Sequence, residues 1–342
     1  MTTHPLLAPE PAEPVASGLV PTFSILIPAY QAAGVVGEAL ASVFAQTVPP
    51  HEVIVCDDAS TDDLDAAVAP FRNRIVLVSR ATNGGEAAAK NDGARAASGD
   101  FVAILDADDV YLPTRLAALG ELAARRPDLD ILTTDAYLER AGERLRRCYE
   151  DDWPFETVDQ RRGILERNFV FGLAAVRRER LLAVGGFDET IRWTTDWDCW
   201  IRMIFDGSRV GAVAEPLALY RVHDTSLSAA RANHVRGRLQ TLHKAAANQR
   251  LTPDERETVS ATIAAQEREL ALLELRGALL TRPRDLRRRL LSLASRQDIP
   301  LKTRAKAAAA ATAPGLAARI FRRREAGVWT GAGGIQGRSD GR

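Results

Sequence analysis

Cysteine is scarce: Cys56, Cys148 and Cys199 are all that 342 residues contain. Odd in number and far apart, they support neither a disulfide framework nor a zinc cluster and read as reduced packing thiols. Nowhere do about twenty apolar residues run together, and the N-terminus has no basic stretch ahead of a hydrophobic core, so neither a membrane span nor a signal peptide is expected. That points to a cytoplasmic protein. Internal repeats are missing, and so is net charge. The zero hides an asymmetry, because residues 281–342 hold fifteen Lys and Arg against four Asp and Glu. A basic helical tail can bind anionic lipid headgroups or nucleic acid, or simply solvate a helix.

What is present begins with an apolar strand that ends in carboxylates, Phe101–Leu105 followed by Asp106, Asp108 and Asp109. Packing gives no reason for a buried strand to end so. In an open α/β sheet such a strand end lies at the edge where ligands bind, and crowded carboxylates call for a hard divalent cation, Mg²⁺ or Mn²⁺. The strand belongs to a rhythm. Strands are expected at 23–28, 52–56, 74–79 and 101–105, with helices over 34–46, from 62, over 86–97 and after Pro113 at its N1 position. This alternation predicts an α/β fold with a parallel, doubly wound sheet. Residues 1–21 are proline-rich and expected to be a disordered leader, and the Gly-rich stretch 327–342 a disordered tail. Further strands are expected at 131–134 and 213–221. Beyond His234 the pattern turns helical, with Thr252-Pro-Asp-Glu255 as a capping box and later helices starting near Pro283 and Lys302.

Four further segments carry chemistry. Asp57 and Asp58 end the second strand, where a carboxylate can accept from a base edge or a ribose hydroxyl; Ser60 or Thr61 nearby suits a helix N-cap. Asn83-Gly84-Gly85 opens the helix holding Lys90 and Asn91 and would aim its amides at an anion, although a plain turn before a helix has the same pattern. In Trp193-Thr-Thr-Asp196-Trp197-Asp198-Cys-Trp200, a helix starting near Thr195 puts Trp197 and Trp200 on one face and leaves Asp196 free to enter a cleft. Finally, His223 follows a strand in Tyr220-Arg221-Val-His223-Asp224, a metal-ligand candidate beside the bland reading of a satisfied polar histidine.

Together these motifs, with Ser24-Ile-Leu-Ile-Pro28-Ala29-Tyr30 and Gly185-Gly-Phe-Asp-Glu189, resemble the nucleotide-sugar-dependent family 2 glycosyltransferases over roughly residues 22–228. The resemblance implies a GT-A fold: a mixed, mainly parallel sheet flanked by helices over residues 22–234, here followed by a helical, basic extension over 235–326. It also implies that Pro28, Ala29 and Tyr30 line a nucleotide pocket, with Asn83, Lys90 and Asn91 contributing to the donor site, and that Asp57 or Asp58 contacts the base. Asp106 and Asp108 look like the DxD motif that meets the ribose and the metal, with Asp108 and His223 as metal ligands. Asp196 matches the catalytic base, with Asp198 the alternative. Three positions depart from the family pattern: Ala59 for the usual glycine, Lys90 for arginine, and Thr195 for an acidic residue.

The expected activity is inverting transfer of a sugar from a nucleotide-diphosphate donor to the hydroxyl of a saccharide or lipid-linked acceptor in cell-surface polysaccharide synthesis. Peripheral contact with an anionic membrane through residues 281–326 fits such an acceptor, and no nucleic acid partner is expected. Two other classes remain open, an inactive nucleotide-sugar-binding module and a nucleotidyltransferase. No Lys-rich glycine signature of the latter follows the first strand.

Overall fold

The computed structural model describes residues 21–150, 154–222, 227–281 and 284–320. The leader expected at 1–21, His223, the helix start at Pro283 and the tail at 327–342 therefore lie outside the described residues, wholly or nearly so.

The chain runs β1 (Phe23–Ala29), α1 (Val36–Phe44), β2 (Glu52–Asp57), α2 (Leu64–Val68), a 3₁₀ turn over Ala69–Arg74, β3 (Val76–Ser79), α3 (Glu86–Ala96), β4 (Phe101–Ile104), β5 (Val110–Tyr111) and α4 (Arg115–Arg125). It continues with β6 (Ile131–Arg140), β7 (Glu143–Arg147), α5 (Gln160–Glu166), β8 (Ala175–Arg177), α6 (Arg178–Ala183), α7 (Thr195–Phe205) and β9 (Val210–Arg221). The helices α8 (Leu227–Ala246), α9 (Pro253–Thr281), α10 (Leu286–Ser295) and α11 (Leu301–Thr312) follow. The strands form one sheet in the order β3-β2-β1-β4-β8-β6-β9-β5, with β7 paired to β6. The β3-β2-β1-β4 half is parallel, as the alternation predicts. Antiparallel β8 joins β4 to β6 and makes the sheet mixed.

Both faces of the parallel half are covered, which explains its continuous apolar runs. Ile25, Ile27, Val53, Val55, Phe101 and Ala103 pack on one side with α1 residues Val36 and Leu40. Leu26, Ile54, Cys56 and Val102 pack on the other with Ala89 of α3. There the helix approaches so closely that a Cβ on Gly93 would stand 2.0 Å from the Leu26 Cδ1. The three cysteines are buried and free.

Two local expectations shift. Pro113 precedes the α4 N-cap, Thr114, instead of occupying N1. The N-cap of α2 is Asp63, whose carboxylate accepts from the Ala66 amide, because Ser60 and Thr61 are engaged by Gln31.

Among the described residues two compact units emerge, one within 21–222 together with 247–258 and one of 227–246 together with residues 259–320. In the first, the reciprocal bonds between Thr252 and Glu255 form the expected capping box, and Arg161 clamps Glu255. In the second, Leu286, Leu290 and Leu293 of α10 pack with Ala307 and Ala311 of α11 and Ala278 of α9. Among the described residues no helix is long and apolar enough to cross a membrane.

Candidate active site

A cavity of about 690 Å³ lies in the first unit where several strands end. Pro28, Ala29 and Tyr30 come from the end of β1, Asp58 follows β2, and Asn83, Gly85 and Glu86 form the entry to α3. Asp106 and Asp108 follow β4, and Tyr220 and Arg221 close β9. Such strand-end clefts are where open α/β sheets take ligands. Tyr30 exposes a little over half of its surface and offers a flat ring to the cavity.

The acidic members differ in their duties. Asp58 is buried and accepts from the Gly84 and Gly85 amides at 2.8 and 2.7 Å, and Arg80 stands 3.0 Å away. The glycine amides expected to face a ligand anion thus hold the protein's own carboxylate. Asp57 does not line the cavity; its carboxylate accepts from the Ser60 amide at 2.8 Å. Directly after Asp58 sits Ala59 at φ 59°, the left-handed conformation that explains why glycine is usual there.

Lys90 and Asn91 also stand behind the cavity wall instead of lining it. Asn91 exchanges two 2.8 Å hydrogen bonds with the backbone of Phe187 and donates to Glu189. Gly186 must be glycine here: its φ is 70°, and a Cβ would lie 2.4 Å from the Asn91 Oδ1. Lys90 is fully buried, pairs with Glu86, and lies 3.4 Å from Asp106. Burial disfavours its charge, but Asp106 and Glu86 outweigh that and hold the ammonium well above the ordinary lysine range. Burial in turn pushes Asp106 up to about 6, with Lys90 opposing and Glu86 and Asp108 adding to the rise.

Asp109 is buried, and burial with the neighbouring Asp106 drives its carboxyl far above the carboxylate range. Its Oδ1 accepts from the Arg221 amide at 2.8 Å, whereas Oδ2 has no hydrogen-bond partner among the described residues. Arg221 is gripped by Glu38 on one side and Glu139 on the other, which fixes the end of β9. Among the described residues no group of three or more His, Cys, Asp or Glu is arranged to hold a metal alone. An acidic edge of oxygen donors nevertheless fits Mn²⁺ or Mg²⁺, which commonly use one or two carboxylates and leave the other positions to substrate phosphates.

Asp196 and Asp198 separate clearly. Asp198 is buried against Arg202 at 2.8 Å, and Arg202 also donates to the carbonyls of Val184 and Gly186. Asp196 is half-buried and accepts from Asn168 at 2.9 Å. Burial raises its carboxyl, with Lys90 opposing the shift. A Cβ on Gly172 would lie 3.8 Å from the Asp196 carboxylate and 3.9 Å from that of Asp106, so both carboxylates converge on one glycine. Trp197 and Trp200 are buried as the helical spacing predicts; Trp197 donates to the Ile164 carbonyl and Trp200 packs edge-on to Phe187. Asn168, Gly172, Arg80 and the Glu38 clamp were not legible as site residues, since each matters through a partner distant in sequence.

The sequence model of one family, Glycosyl transferase family 2, matches residues 24–184. The O-antigen biosynthesis protein RfbC of Myxococcus xanthus is 32% identical over 216 residues, which are 61% of this chain and 16% of that protein. The succinoglycan biosynthesis protein ExoW of Rhizobium meliloti is 43% identical over 100 residues, 27% of this chain and 31% of that protein. The chain thus spans less than a third of the length of either relative. Among solved structures, S. aureus TarS 1–349 in complex with UDP-GlcNAc matches with a TM-score of 0.58 at 19% identity, covering 91% of this chain and 92% of that one. The mannosyltransferase PcManGT of Pyrobaculum calidifontis, in complex with GDP-Man and Mn²⁺, matches with a TM-score of 0.57 at 21% identity, covering 91% and 81%. Residues 24–184 thus match glycosyl transferase family 2, and the fold is GT-A.

Proposed function

We propose that the protein transfers a sugar from a nucleotide-diphosphate donor to an acceptor hydroxyl with inversion, in the synthesis of a cell-surface polysaccharide. The observation that carries this reading is the convergence of Asp106 and Asp196 on Gly172 beside a strand-end cavity large enough for a nucleotide. Displacement at an anomeric carbon needs the departing nucleoside diphosphate on one face and a base on the other; in this reading Asp106 belongs to the edge that meets the donor and Asp196 supplies the base. The O-antigen and succinoglycan roles of the relatives support a saccharide or lipid-linked acceptor.

In this reading residues 22–234 are the transferase domain, Pro28, Ala29 and Tyr30 cradle the nucleotide, and Asp106 meets its ribose side. Mn²⁺ or Mg²⁺ held by Asp108, with His223 as a further ligand, would supply charge stabilisation for the departing diphosphate. Lys90 keeps Asp106 ionised and limits repulsion within the acidic edge. Asp196, fixed by Asn168 and made more basic by burial, accepts the acceptor's proton as its oxygen attacks, and no covalent enzyme intermediate forms. Asp58 serves the base through the loop that it braces, and Asp57, held by Ser60, shapes the same loop.

Diphosphate release from UDP-, GDP- and dTDP-sugars, measured with Mn²⁺ and again with chelator, tests the reading; turnover undiminished by chelator would contradict the metal's part in it. Residues 235–326 form the extension. Its exposed Leu291, Leu301 and Leu316, beside exposed Arg288 and Lys302, support docking to an anionic membrane. Deleting residues 281–342 should abolish sedimentation with phosphatidylglycerol vesicles, and unchanged binding would refute this.

A further inference from the structure

The residue on which the two carboxylates converge is flanked by residues that the core holds on both sides. Gly172 lies between Phe171 and Leu173, both buried, in the segment leading from α5 to β8. Arg115, a fully buried guanidinium, donates to the Leu173 carbonyl and to the Thr134 hydroxyl and lies 4.6 Å from the Tyr111 ring. On the other side the Tyr149 hydroxyl donates to the Phe169 carbonyl at 2.9 Å, and its ring packs 4.6 Å from that of Phe171. A buried arginine with carbonyl and hydroxyl partners is an expensive way to hold a loop, and at Gly172 itself the held loop carries no side chain toward the site.

We infer that Gly172 sets the room for the transferred sugar: its missing side chain is the space between the Asp106 and Asp196 carboxylates in which the sugar ring sits, and the braced backbone keeps that space from collapsing. The inference rests on the proposed transferase reading and adds a specificity-determining residue to it. The backbone of Gly172 is not in the left-handed region, and an added Cβ would meet its neighbours at ordinary van der Waals distance, 3.8 and 3.9 Å. A side chain is therefore tolerated by the fold, and its volume falls where the sugar would be.

The test is a series, Gly172→Ala, Gly172→Ser and Gly172→Val, each compared with wild type for melting temperature and for titration with UDP against UDP-GlcNAc and GDP against GDP-mannose, in the presence of Mn²⁺. Affinity for the free diphosphate and the melting temperature should stay unchanged, while affinity for the matching sugar nucleotide and its turnover fall with side-chain volume, turnover by on the order of 100-fold for valine. Undiminished binding and turnover of the sugar nucleotide in Gly172→Val would overturn the inference. So would parallel loss of both ligands with a lowered melting temperature, which marks a merely structural glycine. Wild-type protein that binds the diphosphates but none of the sugar nucleotides would refute the transferase reading itself, and this inference with it.

Discussion

Ala59 is the clearest case of local strain in the site. It sits at φ 59° between Asp58 and Ser60, a conformation that costs an L-residue roughly 1–2 kcal/mol. Glycine would relieve most of this and lose somewhat less through its freer unfolded chain. Ala59→Gly should therefore stabilise the protein by up to about 1 kcal/mol in urea unfolding, and a destabilised variant would show that the strain is absent. The departure at residue 59 was legible in the sequence, but its physical meaning needed the dihedral. Asp106 and Asp108 were legible for a different reason, since carboxylates at the end of an apolar strand have no packing explanation. Asp58 and Asn91 looked like ligand-binding residues because their polar chemistry gives no hint of the partners that already use them, the Gly84 and Gly85 amides and the Phe187 backbone.

Elements read from apolar runs and caps appear close to where they were expected. The strand at 52–56 is β2 at 52–57, the helix at 86–97 is α3 at 86–96, and the capping box at Thr252 opens α9. Less legible were the antiparallel joins through the three-residue strand β8 and the two-residue strand β5, because strands this short leave no period to count. What ties elements together was hidden for the same reason that contacts distant in sequence always are. Asn91 fastens α3 to the Gly-Gly-Phe turn that precedes α7, and with it the helix that presents Asp196. Asn91→Ala should cost about 2 kcal/mol of unfolding free energy and lower turnover more than diphosphate affinity. Equal losses in turnover and affinity would mean that the tie does not act through the α7 side.

For the molecule as a whole, the acidic edge couples stability to pH and to metal. Asp106 has its folded pKa raised to about 6, so between the ordinary carboxylate range and that value the folded protein binds more protons than the unfolded chain. Its contribution to stability therefore falls as pH rises through this window. Mn²⁺ should offset the loss: at neutral pH it should raise the melting temperature, with the increment shrinking below about pH 6 and absent in Asp108→Asn. An increment independent of pH, or retained in Asp108→Asn, would remove Asp108 from the metal's side of the site. The central claim is that Asp196 is the base of a sugar transfer, and one comparison addresses it most directly. In the donor panel with Mn²⁺, Asp196→Asn should bind the sugar nucleotide as wild type does and lose transfer by roughly 100-fold or more. An Asp196→Asn protein that transfers sugar at the wild-type rate would contradict the account.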